Sequence, residues 1–212
     1  MANGMRFTSF DFDQTKYDSM LSAWKAMDEN LLNGVSGLIA LRAIKTSEDH
    51  MMVMSTYNSI ENLDAANEVH RSIFGEFSQY ITGEPVIRSG EVVGGVDGQT
   101  PRSSIGYMRF TRVTFDESNF DAIKNYMDDN LAPAFDGVSG LSRIRVVRLR
   151  EGSIEGKPAV IAAAAYDNEA SAQAAVTNAQ KALGGIAGYM TSEPFQRQGD
   201  VVSAWMSSAN LD

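Results

Sequence analysis

The chain has 212 residues, 43% of them hydrophobic, a net charge of −9 and no cysteine. That length and apolar content suit one large or two small globular domains, and the missing cysteine excludes disulfides, thiolate metal sites and a cysteine nucleophile. The acidic excess, with basic residues scattered along the chain, opposes phosphate backbones and anionic lipid, so neither nucleic acid nor a membrane is expected as a partner.

The opening MANGMRFTSF has no charged n-region ahead of an apolar stretch, and no apolar run approaches the roughly 20 residues that span a bilayer. The expected location is the cytoplasm. MRFTSFDF (5–12) is rich in aromatic residues and reads as a strand. Thr15 and Asp18 have capping-box spacing, so a helix should follow, with Tyr17, Met20, Leu21, Trp24, Met27 and Leu31 along one apolar face. Gly34 or Gly37 should stop it. LIALRAIK (38–45) is the second strand, residues 47–50 a turn, and MMVMSTY (51–57) the antiparallel return. Asn58 or Ser59 caps a second helix, whose buried stripe is Leu63, Ala66, Val69 or His70, Ile73 and Phe77. Pro85 breaks the helical register before the fourth strand, VIRSGEVV.

The same order then returns. GVSGL stands at 34–38 and again at 137–141, and MRFT at 5–8 and 108–111. The offset is 103 up to residue 45 and 109 beyond it, where TGEPVIRSGEVV (82–93) meets TSEPFQRQGDVV (191–202). The insertion falls in REGSIEGKP (150–158), which reads as a hairpin tip. Ser118 and Asp121 repeat the capping box, and Pro133 should stop the second copy's first helix sharply. The chain is therefore two repeats, 1–93 and 105–212, joined by the Gly- and Ser-rich linker 94–104.

Each repeat reads β-α-β-β-α-β, a ferredoxin-like unit with both helices on one face of an antiparallel sheet. The strands are apolar on both faces, as Phe7 with Phe10 and Leu41 with Ile44 show, so each sheet needs cover on both sides. The expected fold is α+β: two tandem ferredoxin-like βαββαβ units forming an intramolecular pseudo-dimeric α+β barrel.

A G-[VF]-x-G turn before the second strand, an arginine in that strand (Arg42, Arg145) and an aromatic residue closing the third (Tyr57, Tyr166) resemble the dimeric α+β barrel superfamily, in particular its antibiotic-biosynthesis-monooxygenase-like branch. The resemblance implies a ligand pocket between each helix pair and its sheet. It also implies a cofactor-independent monooxygenase of an aromatic or polyketide-like substrate. The alternative is a non-catalytic ligand-binding or structural, stress-response barrel. No cofactor and no metal are called for. The Asn–Trp–His set of the haem-degrading branch is not reproduced, since no Asn stands on the first strand and His70 is matched by Ala179. GVSGL approaches a nucleophile elbow, but Leu38 and Leu141 replace its last glycine and no histidine recurs as a base, so it reads as a turn.

The candidate ligand-binding residues are Tyr57, Tyr166, Arg42, Arg145, Tyr80, Tyr189 and His70. The duplicated tyrosines offer hydroxyls to a pocket, and the strand arginines must be paired or reach an anionic ligand. The expected partner is a small apolar or aromatic molecule. The second repeat replaces the Met-rich third strand with VIAAAA (160–165), so the two cavities should differ, the second larger and the first more polar.

Overall fold

The computed structural model describes residues 3–27, 29–150, 154 and 156–208. Residues 151–153 and 155 of the expected hairpin tip lie outside them. The chain forms two compact units, one of residues up to Ser89 together with those from Val201 on, the other of Gly90–Asp200.

Unit 1 contains β1 (Gly4–Phe12), α1 (Tyr17–Lys25), α2 (Glu29–Asn33), β2 (Leu38–Lys45), β3 (His50–Tyr57), α3 (Ile60–Ala65), α4 (Asn67–Phe77) and the first part of β4 (Ile81–Asp97). β3 is the central strand. It pairs antiparallel with β1 from Gly4↔Tyr57 to Asp11↔His50, and with β2 through one bulge between Leu38 and Ala40. Phe10, Phe12, Leu41, Val53 and Tyr57 face the helices and pack on Met20, Trp24, Leu32, Leu63 and Phe77. The other face of the sheet is buried too, with Met5, Phe7, Ile44 and Met54 all under 5% exposed. Such two-sided burial is what the strand composition demands.

Unit 2 repeats the order after the rest of β4: β5 (Tyr107–Thr114), α5 (Phe120–Phe135), β6 (Leu141–Leu149), β7 (Ala159–Tyr166), α6 (Glu169–Ala174), α7 (Val176–Gly184) and the first part of β8 (Phe195–Met206). β7 pairs with β5 and β6, β5 with β8, and β6 with β4. The bulge recurs between Leu141 and Arg143. β4 runs to Asp97, so it takes up the start of the segment expected as linker.

Several local expectations need correction. Neither capping box forms. Asp13 accepts the Thr15 amide at 3.0 Å and its hydroxyl at 2.6 Å, so the acidic side chain closes a short 3-10 turn ahead of α1. Asp116 precedes the matching turn in unit 2 without a side-chain cap. The first helix divides into α1 and α2, and the restart turns Leu31 outward, 44% exposed, while Leu32 is buried. Pro133 lies inside α5, which continues to Phe135. A proline this close to the C-terminus removes one amide donor without breaking the turns before it.

The second glycine of each GVSGL explains the repetition. Gly37 has φ +69° and Gly140 φ +74°, a conformation that side chains other than glycine's rarely adopt. A Cβ would lie 2.3 Å from Asn58 Oδ1 at the first and 2.2 Å from Ser171 Oγ at the second. The turn therefore needs glycine twice over, for its backbone angle and for the start of the following helix packed against it.

Candidate functional site

Each unit has a cavity between its sheet and its helices. In unit 1, alternate residues of β1 and β3 bring Thr8, Val53, Ser55 and Tyr57 to the helix side, where Trp24, His70, Ile73 and Phe74 close in. The space left is about 30 Å³. In unit 2 the same strand positions carry Thr111, Ala162, Ala164 and Tyr166, and the helices present Met127, Ala179, Ala182 and Leu183. The space there is about 70 Å³. A water needs roughly 10–15 Å³ on this measure, so the first cavity suits a water or two and the second a small organic group.

The polar groups also differ. In unit 1, Thr8 Oγ1 and His70 Nε2 are hydrogen-bonded at 2.8 Å, and the His70 ring packs on Phe74 at 4.5 Å between centroids. Burial, and secondarily the Arg6 charge, lower the His70 pKa from 6.5 to about 4, so the imidazole is neutral at pH 7. Arg6 does not line the cavity. Its Nη2 donates to Leu63 O at 2.8 Å and to Asn67 Oδ1 at 2.5 Å. In unit 2 the equivalent Arg109 does line the cavity and is 5% exposed, its Nε donating to Gln198 Oε1 at 2.9 Å. Burial pushes the Tyr166 phenol up, with Arg109 opposing, so the hydroxyl keeps its proton at neutral pH. Asn178 Nδ2 on α7 ties that helix to Ala134 O of α5 at 2.7 Å and fixes the helix pair over the cavity.

Of the candidate residues, the structure brings Tyr57 and His70 to the first cavity and Tyr166 to the second. Arg42 and Arg145 are not there. They lie on the opposite face of their strands, because the bulge in β2 and β6 resets the alternation. Arg42 Nη2 contacts Met206 Sδ at 3.2 Å, and Arg145 pairs with Asp97 at 2.6 Å. Tyr80 packs against the Phe77 ring, and Tyr189 is 37% exposed on a short 3-10 turn. Neither tyrosine lines either of these two cavities. Arg109 is the residue that a list of repeated motifs underweights. The signal lay in its surroundings, because Asn67, which holds Arg6, is matched by Val176 at the same offset.

The comparisons with known proteins agree with this architecture. No family model matches the chain, and no curated protein matches it either. Among solved structures, an anthrone oxidase-like protein superposes with a TM-score of 0.68 at 15% identity, covering 99% of this chain and 95% of its own. A candidate monooxygenase from Fusobacterium nucleatum subsp. nucleatum gives 0.75 at 12% identity, covering 97% of this chain and 95% of its own. Another from Lactobacillus acidophilus gives 0.73 at 8%, covering 97% of both chains. The chain thus shares the fold of the dimeric α+β barrel superfamily, with a mixed α+β architecture. Among the described residues no helix is long and apolar enough to cross a membrane.

Proposed function

We propose that the protein is a small-molecule-binding barrel of two tandem ferredoxin-like repeats in one chain, acting as a cofactor-independent monooxygenase on an aromatic or polyketide-like substrate in the unit 2 cavity. The observation that carries this is the cavity itself, lying between sheet and helices and partly open to solvent, lined by apolar side chains and widened by Ala162, Ala164, Ala179 and Ala182. The names of the structural neighbours, anthrone oxidase-like and monooxygenase, point the same way. In the reaction, dioxygen oxidises an activated ring methylene to a carbonyl, one oxygen atom entering the product and the other leaving as water with the two methylene hydrogens. Apolar walls exclude bulk water from such a site, and Arg109 and the Tyr166 hydroxyl stabilise the substrate oxyanion formed when the carbon acid ionises.

The test is oxygen uptake with anthrone as substrate. Enzyme-dependent consumption of one dioxygen per anthrone, lost on filling the cavity with Ala164→Leu, supports the reading. Uptake equal to the protein-free rate sinks the enzymatic part. A non-catalytic ligand-binding barrel is the second reading, favoured because no carboxylate or imidazole lines the larger cavity. A rise in melting temperature with ligand, without oxygen uptake, would select it.

A further inference from the structure

The two repeats treat the same arginine differently. In unit 1 Arg6 Nη2 donates to a helix carbonyl and to Asn67, and the residue stays out of the cavity. In unit 2 Val176 takes the place of Asn67 and offers no acceptor. Among the described residues, the sole hydrogen bond of the Arg109 side chain is Nε to Gln198, and it has no ion pair. Glu169 and Asp200 act on the neighbouring Tyr107, whose phenol is pushed up by burial first and by their charge second, but neither pairs with Arg109. A buried guanidinium thus borders an apolar cavity with its two terminal nitrogens uncommitted. Neither terminal nitrogen is sealed inside the protein, so both face open space that the anionic group of a ligand can fill.

The register places a second donor beside it. Arg109 is opposite Ala164 on β7, and Tyr166 is two residues further along the same face, a diagonal neighbour within reach of long side chains. Among the described residues the Tyr166 hydroxyl makes no hydrogen bond. Two guanidinium nitrogens and a protonated phenol are all donors, a set that matches the two oxygens of a carboxylate. The rest of the lining is aliphatic or aromatic, apart from Thr111.

We infer that the unit 2 cavity takes an apolar carboxylate, its carboxylate held by the Arg109 guanidinium and the Tyr166 hydroxyl and its body lying against Ala162, Ala179, Ala182 and Leu183. This rests on the reading of that cavity as the ligand site. Unit 1 is excluded as a second such site, because its arginine is already engaged and its cavity is less than half the size.

Calorimetry of the full chain with 2-naphthoate and with its neutral counterpart 2-naphthylmethanol tests this. One site per chain is expected for naphthoate, with the alcohol at least about tenfold weaker, since a charge-assisted bond is worth about 1.5–3 kcal/mol. Arg109→Gln should weaken naphthoate about tenfold or more and leave the alcohol unchanged, a difference that general loosening of the fold would not produce. Val176→Asn, which recreates the acceptor of unit 1, should weaken naphthoate several-fold, and it decides the matter if Arg109→Gln fails to fold. Equal affinity for the two probes overturns the carboxylate inference and leaves the cavity reading standing. So does unchanged naphthoate affinity in a folded Arg109→Gln or, where that variant fails to fold, in Val176→Asn. Failure of both probes to bind at up to about 1 mM overturns both.

Discussion

The two cavities occupy matching positions in the two units, yet one measures about 30 Å³ and the other about 70 Å³. The backbone that makes the hole is the same, a third strand flanked by two others beneath a helix pair. What differs is what stands on it. Trp24, Val53, Ser55, His70, Ile73 and Phe74 of unit 1 are matched by Met127, Ala162, Ala164, Ala179, Ala182 and Leu183 of unit 2. Close packing follows side-chain volume, so two units with the same order of strands hold two different spaces. The lesson extends to charge, because exchanging Asn67 for Val176 moves an arginine from a structural bond to a cavity wall.

The largest expected effect tests how fully the first cavity is packed. Trp24→Ala should destabilise the protein by about 4 kcal/mol and the equivalent Met127→Ala by about 2 kcal/mol, read from denaturant midpoints. Equal losses would mean that unit 2 is packed as tightly as unit 1. Next come the features the repeats share. Gly37→Ala and Gly140→Ala should each cost about 3 kcal/mol, through the positive φ and the overlap with the following helix. A difference above about 1 kcal/mol between them would break the equivalence of the two turns.

A smaller effect belongs to unit 1 alone. His70 has a folded pKa of about 4, below its unfolded value of 6.5, so the unfolded chain binds more protons between those limits. Stability should therefore fall as pH drops from about 6.5 towards 4, by the order of 1–2 kcal/mol, and His70→Gln should flatten that part of the profile. An unchanged slope in the variant would show that His70 is not the group responsible, and Ala179 leaves unit 2 without a counterpart. The smallest effect is on binding. Tyr166→Phe should weaken 2-naphthoate about threefold, and Tyr57→Phe should leave it unchanged within error. Equal weakening by both would refute the asymmetry.

Much of the framework was readable in advance, for reasons that can be named. β2 was placed at 38–45, as observed, because a mostly apolar run, interrupted by Arg42, sits between a glycine turn and a charged one. The second helix was expected to be capped by Asn58 or Ser59, and Ser59 caps α3, accepting the Asn62 amide at 3.2 Å, with α4 following as a separate helix. Tyr57 and Tyr166 stand at the ends of their strands, as expected. The first capping box failed because Asp13 offers the Thr15 amide an acceptor two residues earlier. Leu31 was misplaced because one helical period was carried across the gap between α1 and α2. Arg42 and Arg145 take the face away from the cavities because each follows a bulge, which the sequence pattern does not mark.

The sequence by itself determined what depends on neighbours along the chain: the repeat, the order of elements, the glycine each turn requires, and which third strand carries alanine. Those properties follow from local backbone preference and from side-chain size at matched positions. Only the tertiary structure decided what depends on neighbours across space. It set which face Arg145 takes, that Arg6 is held by α3 and α4 while Arg109 is released into a cavity, and that His70 stays neutral beside Thr8. The physical reason is that burial, hydrogen-bond partnership and residual volume are properties of packed surroundings, and residues far apart in sequence supply those surroundings.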